Sequence, residues 1–214
     1  MLTRRCLVLC FLGVVLSTTA AAEPGSARAQ LDSFSNGLER LGSEFTQTVI
    51  GPDGELLEQG EGFFYLQRPG LFHWRYEGEF PELIVADGER LWLYDESLEQ
   101  VTVRSEPELT ADSPLLLLTD PGALDAQFVV TELGEVEGSR LLELRARDAD
   151  AGFERVILAL HDGAPVSMVL EDAFGMRTEI RFTNLVRNPD LDPALFRFTP
   201  PPGVDVVGEV AGSP

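Results

Sequence analysis

The sequence predicts a mainly β fold with a few helices, its strands meandering as one antiparallel sheet. From Ser43 onward apolar and polar residues alternate at period two. Turn signals recur at short, regular intervals, among them Gly51-Pro52-Asp53-Gly54, Pro69-Gly70, Asp87-Gly88 and Asp162-Gly163. Helical spacing is confined to short stretches. No repeat, low-complexity run or linker divides the chain, so residues 23–214 read as a single domain behind a leader.

Residues 1–22 have the layout of a signal peptide. Arg4 and Arg5 form a positive start, an apolar run spans 7–16, and Ala20-Ala21-Ala22 offers small residues for cleavage. That run is shorter than the ~20 apolar residues a spanning helix needs. Export to the periplasm and solubility after cleavage are the expectation. Cys6 and Cys10 are the chain's 2 cysteines, and both lie inside the leader. No disulfide or thiol chemistry is expected in the mature protein, which has to hold together by core packing alone.

The first mature element is a helix over 27–41, where Leu31, Phe34, Leu38 and Leu41 make an apolar stripe closed by Gly42. A strand follows in which Phe45, Gln47 and Val49 alternate with Thr46 and Thr48. Further strands are expected over 60–68, 71–76, 83–86, 91–94 and 100–104. Asp112-Ser113-Pro114 ahead of Leu115 to Leu118 reads as a short capped helix ended by Pro121-Gly122. Strands resume over 128–133, 141–147, 154–160, 166–171 and 177–185. One helical turn over 192–195 precedes a last extended piece over 196–199.

Strand parity gathers the large apolar residues on one face. Phe64 and Leu66 share a face with Gly60, Gly62 and Arg68; on the next strand Phe72, Trp74 and Tyr76 share a face. Two glycines allow tight bending. A sheet bent around these side chains encloses a hydrophobic hollow with Arg68 near its end, and the apolar 114–118 helix can cover it. An ordinary filled sandwich core fits the same pattern, and the residues alone leave both open.

Catalytic signatures are missing. The chain has 2 histidines, His73 and His161, no Gly-x-Ser-x-Gly elbow and no His-Glu-x-x-His. His73 falls opposite Phe72 and Trp74 in parity and is expected at the surface. Residues 148–152 loosely resemble a calcium loop, but Ala159 stands where a bidentate glutamate is required, so a hairpin turn is the simpler reading. No catalytic residue, metal or cofactor is expected. The formal charge of −20 becomes −22 without Arg4 and Arg5, and the chain has no lysine. Such acidity disfavours nucleic acid and anionic membrane surfaces. It suits either solubility or fast encounter with basic partners.

Several short segments, in this order, resemble the periplasmic outer-membrane lipoprotein carrier family, LolA. They are Glu44-Phe45-Thr46-Gln47, Gly60-Glu61-Gly62, Arg68-Pro69-Gly70-Leu71-Phe72-His73-Trp74, Ala86-Asp87-Gly88 with Leu91-Trp92-Leu93-Tyr94, and Phe198-Thr199-Pro200-Pro201-Pro202-Gly203-Val204. The resemblance runs from about Ser43 to Val204. It implies an incomplete antiparallel β-barrel, a half-barrel, with a helical lid over a hydrophobic cavity. It implies a monomeric carrier of triacylated lipoproteins, loaded by an inner-membrane ABC transporter and emptied into an outer-membrane acceptor lipoprotein. By the same resemblance Arg68, Pro114, Leu115 and Leu118 control the lid and release, while Phe72 and Trp74 line the cavity, to which strand parity adds Phe64, Leu66 and Tyr76. Leu115 is smaller than the family's side chain there, and the acidity is stronger. A carrier or sensor of other lipids or glycolipids is the alternative function on the same fold.

Overall fold

A computed structural model describes residues 25–105, 121–147 and 153–208 of the chain. The strands are β1 (Arg40–Ile50), β2 (Leu56–Gln67), β3 (Leu71–Glu77), β4 (Glu82–Asp87), β5 (Arg90–Asp95), β6 (Gln100–Ser105), β7 (Phe128–Val136), β8 (Ser139–Ala146), β9 (Arg155–His161), β10 (Ala164–Glu171), β11 (Arg177–Arg187) and β12 (Asp205–Gly208). Helices α1 (Ala27–Ser35) and α2 (Pro121–Gln127) and a 3-10 turn (Pro193–Phe196) accompany them.

All twelve strands form one sheet in the order β12-β6-β5-β4-β3-β2-β1-β11-β10-β9-β8-β7. Short turns keep sequence neighbours adjacent and antiparallel. The exception that shapes the molecule is β1, which pairs with both β2 and β11 and so joins the N-terminal and C-terminal meanders. The sheet does not close, since β12 and β7 remain as separate edges. The fold is therefore the expected mainly β, half-barrel type. The lid helix expected over 114–118 lies outside the described residues, as do the leader and the 148–152 turn.

Some boundaries differ from expectation. The first helix stops at Ser35, because Gly37 turns the chain with a φ of 66° that other residues adopt at a cost. Leu38 and Leu41 stay buried, but Leu41 belongs to β1. Pro121 opens α2, as a proline at a first helical position does; the end of the helix expected over 114–118 lies outside the described residues. Residues 197–200 form no strand; the C-terminal strand is β12, which pairs in parallel with β6. Sequence periodicity could not show this, because four exposed residues carry no alternation.

Each face of the sheet carries a core. On the inner face Phe45, Phe64, Leu66, Phe72 and Trp74 join Leu142, Leu144, Leu158, Leu160 and Met168 in one cluster with Leu31 and Phe34 of α1. Helix α1 packs on β7 to β10 and touches α2. Its N-terminus is held by Glu132 of β7, whose carboxylate accepts the Ala27 and Arg28 backbone N–H groups at 3.0 and 2.8 Å. Arg28 also pairs with Asp125 of α2 at 2.8 Å. At the other end of α1, Asn188 accepts from the N–H groups of Glu39 and Arg40 and donates to the Gly37 carbonyl, all within 2.9 Å. On the outer face Val85, Trp92, Val101 and Val103 are covered by Phe198 and Val204. The Phe198–Val204 segment thereby has a structural role, with the Phe198 ring 5.6 Å from that of Trp92 and 5.7 Å from that of Tyr94.

Candidate functional site

Strand register orders the inner face of β1 to β5 into rows. Leu41, Leu66, Phe72, Ala86 and Leu91 form the innermost. Ser43, Phe64, Trp74, Ile84 and Leu93 form the next. Phe45, Gly62, Tyr76, Glu82 and Asp95 form the third. The face is thus apolar for two rows and turns polar and acidic at the third.

Trp74 is the centre of the apolar part. Its ring lies 4.0 Å from Phe45, 5.3 Å from Phe64, 6.0 Å from Phe72 and 5.8 Å from Tyr76. Such contacts add about 0.5–1.5 kcal/mol per pair beyond area burial. Gly62 makes the wall possible. A Cβ there would collide with the Arg75 carbonyl oxygen of β3, so β2 and β3 can approach only with glycine at that position.

The five residues expected on one apolar face are brought together as expected. Phe64, Leu66, Phe72 and Trp74 are buried on the inner face, and Tyr76 is half-buried beside them. Phe45 and Phe182 were missed. Phe182 packs edge-on to Phe64 at 5.9 Å, which requires β11 to pair with β1 across the whole length of the chain. For Phe45 a signal existed in its alternation with Thr46 and Thr48. Arg68 is exposed just past β2, and its guanidinium finds no hydrogen-bond or ion-pair partner among the described residues. Pro114, Leu115 and Leu118 lie outside them.

The polar row borders a hollow of about 1010 Å³ whose lining includes Gln47, Glu58, Tyr76, Phe80, Glu82 and Asp95. Burial raises the Glu82 carboxyl above its ordinary range, and the nearby charges of Asp95 and Glu58 raise it further. Burial pushes the Tyr76 phenol up to about 12, against the pull of the Trp74 indole and the Gln47 amide. The phenol donates to Gln47 Oε1 at 2.9 Å. The Trp74 indole N–H lies near the phenol, which it helps to acidify, but it does not reach normal hydrogen-bond geometry with any acceptor among the described residues.

His73 corrects an expectation. It faces outward but is half-buried rather than a surface residue, stacked on Phe63 at 6.0 Å, with Nδ1 2.7 Å from the Leu195 carbonyl. Nδ1–H therefore donates, fastening the 3-10 turn to β3. Burial lowers its pKa, the carbonyl opposes this, and Arg75 adds to the lowering. Among the described residues no three His, Cys, Asp or Glu side chains converge as a metal site. An apolar wall ending in a polar rim can hold a fatty chain by its length and its head group by the rim.

The model of the family described as outer membrane lipoprotein carrier protein LolA matches residues 36–199. The chain is 41% identical over 180 residues to an outer-membrane lipoprotein carrier protein of Dechloromonas aromatica, covering 84% of this chain and 86% of that one. It is 40% identical over 189 residues to the protein of that name from Alkalilimnicola ehrlichii, covering 87% and 86%. A crystal structure of an uncharacterized conserved protein from Thermus thermophilus shares the fold at a TM-score of 0.52 and 18% identity, covering 85% of this chain and 98% of that one.

Proposed function

The chain belongs to the outer membrane lipoprotein carrier family LolA, and from that premise we propose how its inner face does the carrying. The function is carriage of lipoproteins bound for the outer membrane. The observation that supports the mechanism is the aromatic wall of Phe45, Phe64, Phe72 and Trp74 on the inner face of an unclosed sheet. Acyl chains of a triacylated lipoprotein lie against this wall and against Leu66 and Tyr76. Each methylene taken from water is worth about 0.8 kcal/mol. A chain of about fifteen methylenes therefore contributes on the order of 12 kcal/mol before ordering costs.

Binding so strong needs a route to release. The wall residues pack on one another, so loading has to displace those contacts, and a more open cavity in an acceptor takes the chains downhill without ATP. In this reading Arg68, whose guanidinium has no hydrogen-bond or ion-pair partner among the described residues, donates to carbonyls of the 114–118 segment and favours the empty state. Pro114, Leu115 and Leu118 then form the moving cover. The partners are an inner-membrane lipoprotein-releasing ABC transporter and an outer-membrane acceptor lipoprotein. The protein works as a periplasmic monomer after its leader is cleaved, and transfers cargo without enzymatic chemistry.

Native mass spectrometry of the protein isolated from periplasm tests this reading. A bound acylated lipoprotein is the expected result. Phospholipid or glycolipid as the sole ligand would replace it with a carrier of other lipids. Failure to take up lipid under any loading condition would leave the wall as a filled core.

A further inference from the structure

The aromatic wall contains one buried polar atom without a partner. Trp74 is 5% exposed, and its indole N–H, although near the Tyr76 phenol, makes no hydrogen bond of normal geometry among the described residues. Trp92, the other tryptophan of the described residues, donates to Asp87 Oδ2 at 2.8 Å. A buried donor left unmade costs stability, and a phenylalanine would fill much of the same aromatic surround without that cost. The donor is explained if its acceptor arrives with the ligand.

Its position says which acceptor fits. Trp74 sits in the last apolar row, and the adjoining row carries Tyr76, Glu82 and Asp95 at the edge of the hollow. A fatty chain lying along the apolar rows ends, at that border, in the group that joins it to its carrier molecule. In an acylated glycerol that group is an ester, whose carbonyl accepts a hydrogen bond and carries no charge. An anionic head group at the same border would face Glu82, Asp95 and Glu58.

Resting on the carrier reading above, we infer that Trp74 is a specificity-determining residue that donates its indole N–H to an acyl-ester carbonyl of the bound cargo. The aromatic rings hold the chain, and this hydrogen bond sets how far the chain enters. Loading moves the donor from an unpaired state to a paired one, so the empty wall is the less satisfied of the two.

The test uses two probes and the mature protein. One probe is a synthetic lipopeptide with two acyl chains ester-linked to a glyceryl-cysteine; the other is its dialkyl ether analogue of equal chain length. Wild type is expected to bind the ester roughly three- to tenfold tighter than the ether, the range of one net hydrogen bond. Trp74→Phe is expected to bring that ratio to about one while still binding both probes. Equal affinity of wild type for ester and ether overturns the inference, and so does an unchanged ratio in Trp74→Phe. An indole committed to Tyr76 gives that first result. Should Trp74→Phe fail to fold, the wild-type ratio decides alone. If wild type binds neither probe, the carrier reading falls and the inference with it.

Discussion

Removing the Glu132 carboxylate should loosen α1 from the inner face without unfolding the sheet. Glu132 accepts two backbone N–H groups of the first helical turn, from Ala27 at 3.0 Å and Arg28 at 2.8 Å. Both belong to the donors that a helix leaves unpaired at its start. Loss of such a cap costs about 0.5–2 kcal/mol, and a negative charge at this end contributes about 0.3–1 kcal/mol. Glu132→Ala should therefore weaken the hold on α1 by about 1–2 kcal/mol. Because α1 contributes Ala27, Leu31 and Phe34 to the core, that cost appears as local opening. Hydrogen exchange is the assay: protection of the α1 amides should fall by about 5- to 30-fold, while β1 and β11 amides keep theirs. Glu132→Gln retains an acceptor without the charge and should fall between. Unchanged α1 protection in Glu132→Ala, or an equal fall across the central strands, would refute the assignment of Glu132 as the clasp of this helix.

Arg68→Leu should leave the melting temperature and lipoprotein loading near wild type yet lower onward transfer to an acceptor; normal transfer would remove Arg68 from the release step. Gly62→Ala should cost at least about 1–3 kcal/mol, because its Cβ meets the Arg75 carbonyl, and a thermal melt indistinguishable from wild type would contradict the close approach of β2 and β3. His73 gives a pH prediction. Its folded pKa lies below the ordinary 6.5, so the unfolded chain binds the extra proton first, and the stability this gives is present above pH 6.5 and lost as pH falls below it. Urea midpoints measured downward from about pH 7 should fall more steeply for wild type than for His73→Gln; parallel curves would show that burial of His73 is not coupled to protonation.

Much of the fold was legible because β-strands write their two faces into the sequence. Phe64 and Leu66 alternate with Phe63, Tyr65 and Gln67, then Phe72, Trp74 and Tyr76 with Leu71, His73 and Arg75, and the pleat places the first set of each on one side. Glycine and asparagine or aspartate turns separated the strands within a few residues. The helix that stopped early shows the limit. Leu38 and Leu41 continue the helical spacing of Leu31 and Phe34, and both are buried, but one glycine and the clasp of Asn188 redirect the chain into β1. Parity likewise put His73 on the outer face correctly but could not foresee that Leu195, 122 residues away, would cover it.

By itself the sequence determined which residues share a face, and with them an apolar wall of Phe64, Leu66, Phe72, Trp74 and Tyr76. Local periodicity is a property of neighbouring residues, so it is readable without knowing what lies opposite. Tertiary structure decided what that wall meets. The pairing of β1 with β11 brings Phe182 to Phe64, and register sets Glu82 and Asp95 one row beyond Trp74. It also decided that one tryptophan N–H is satisfied by Asp87 and the other is not. These are contacts between distant segments, fixed by strand register and burial, which no alternation pattern encodes.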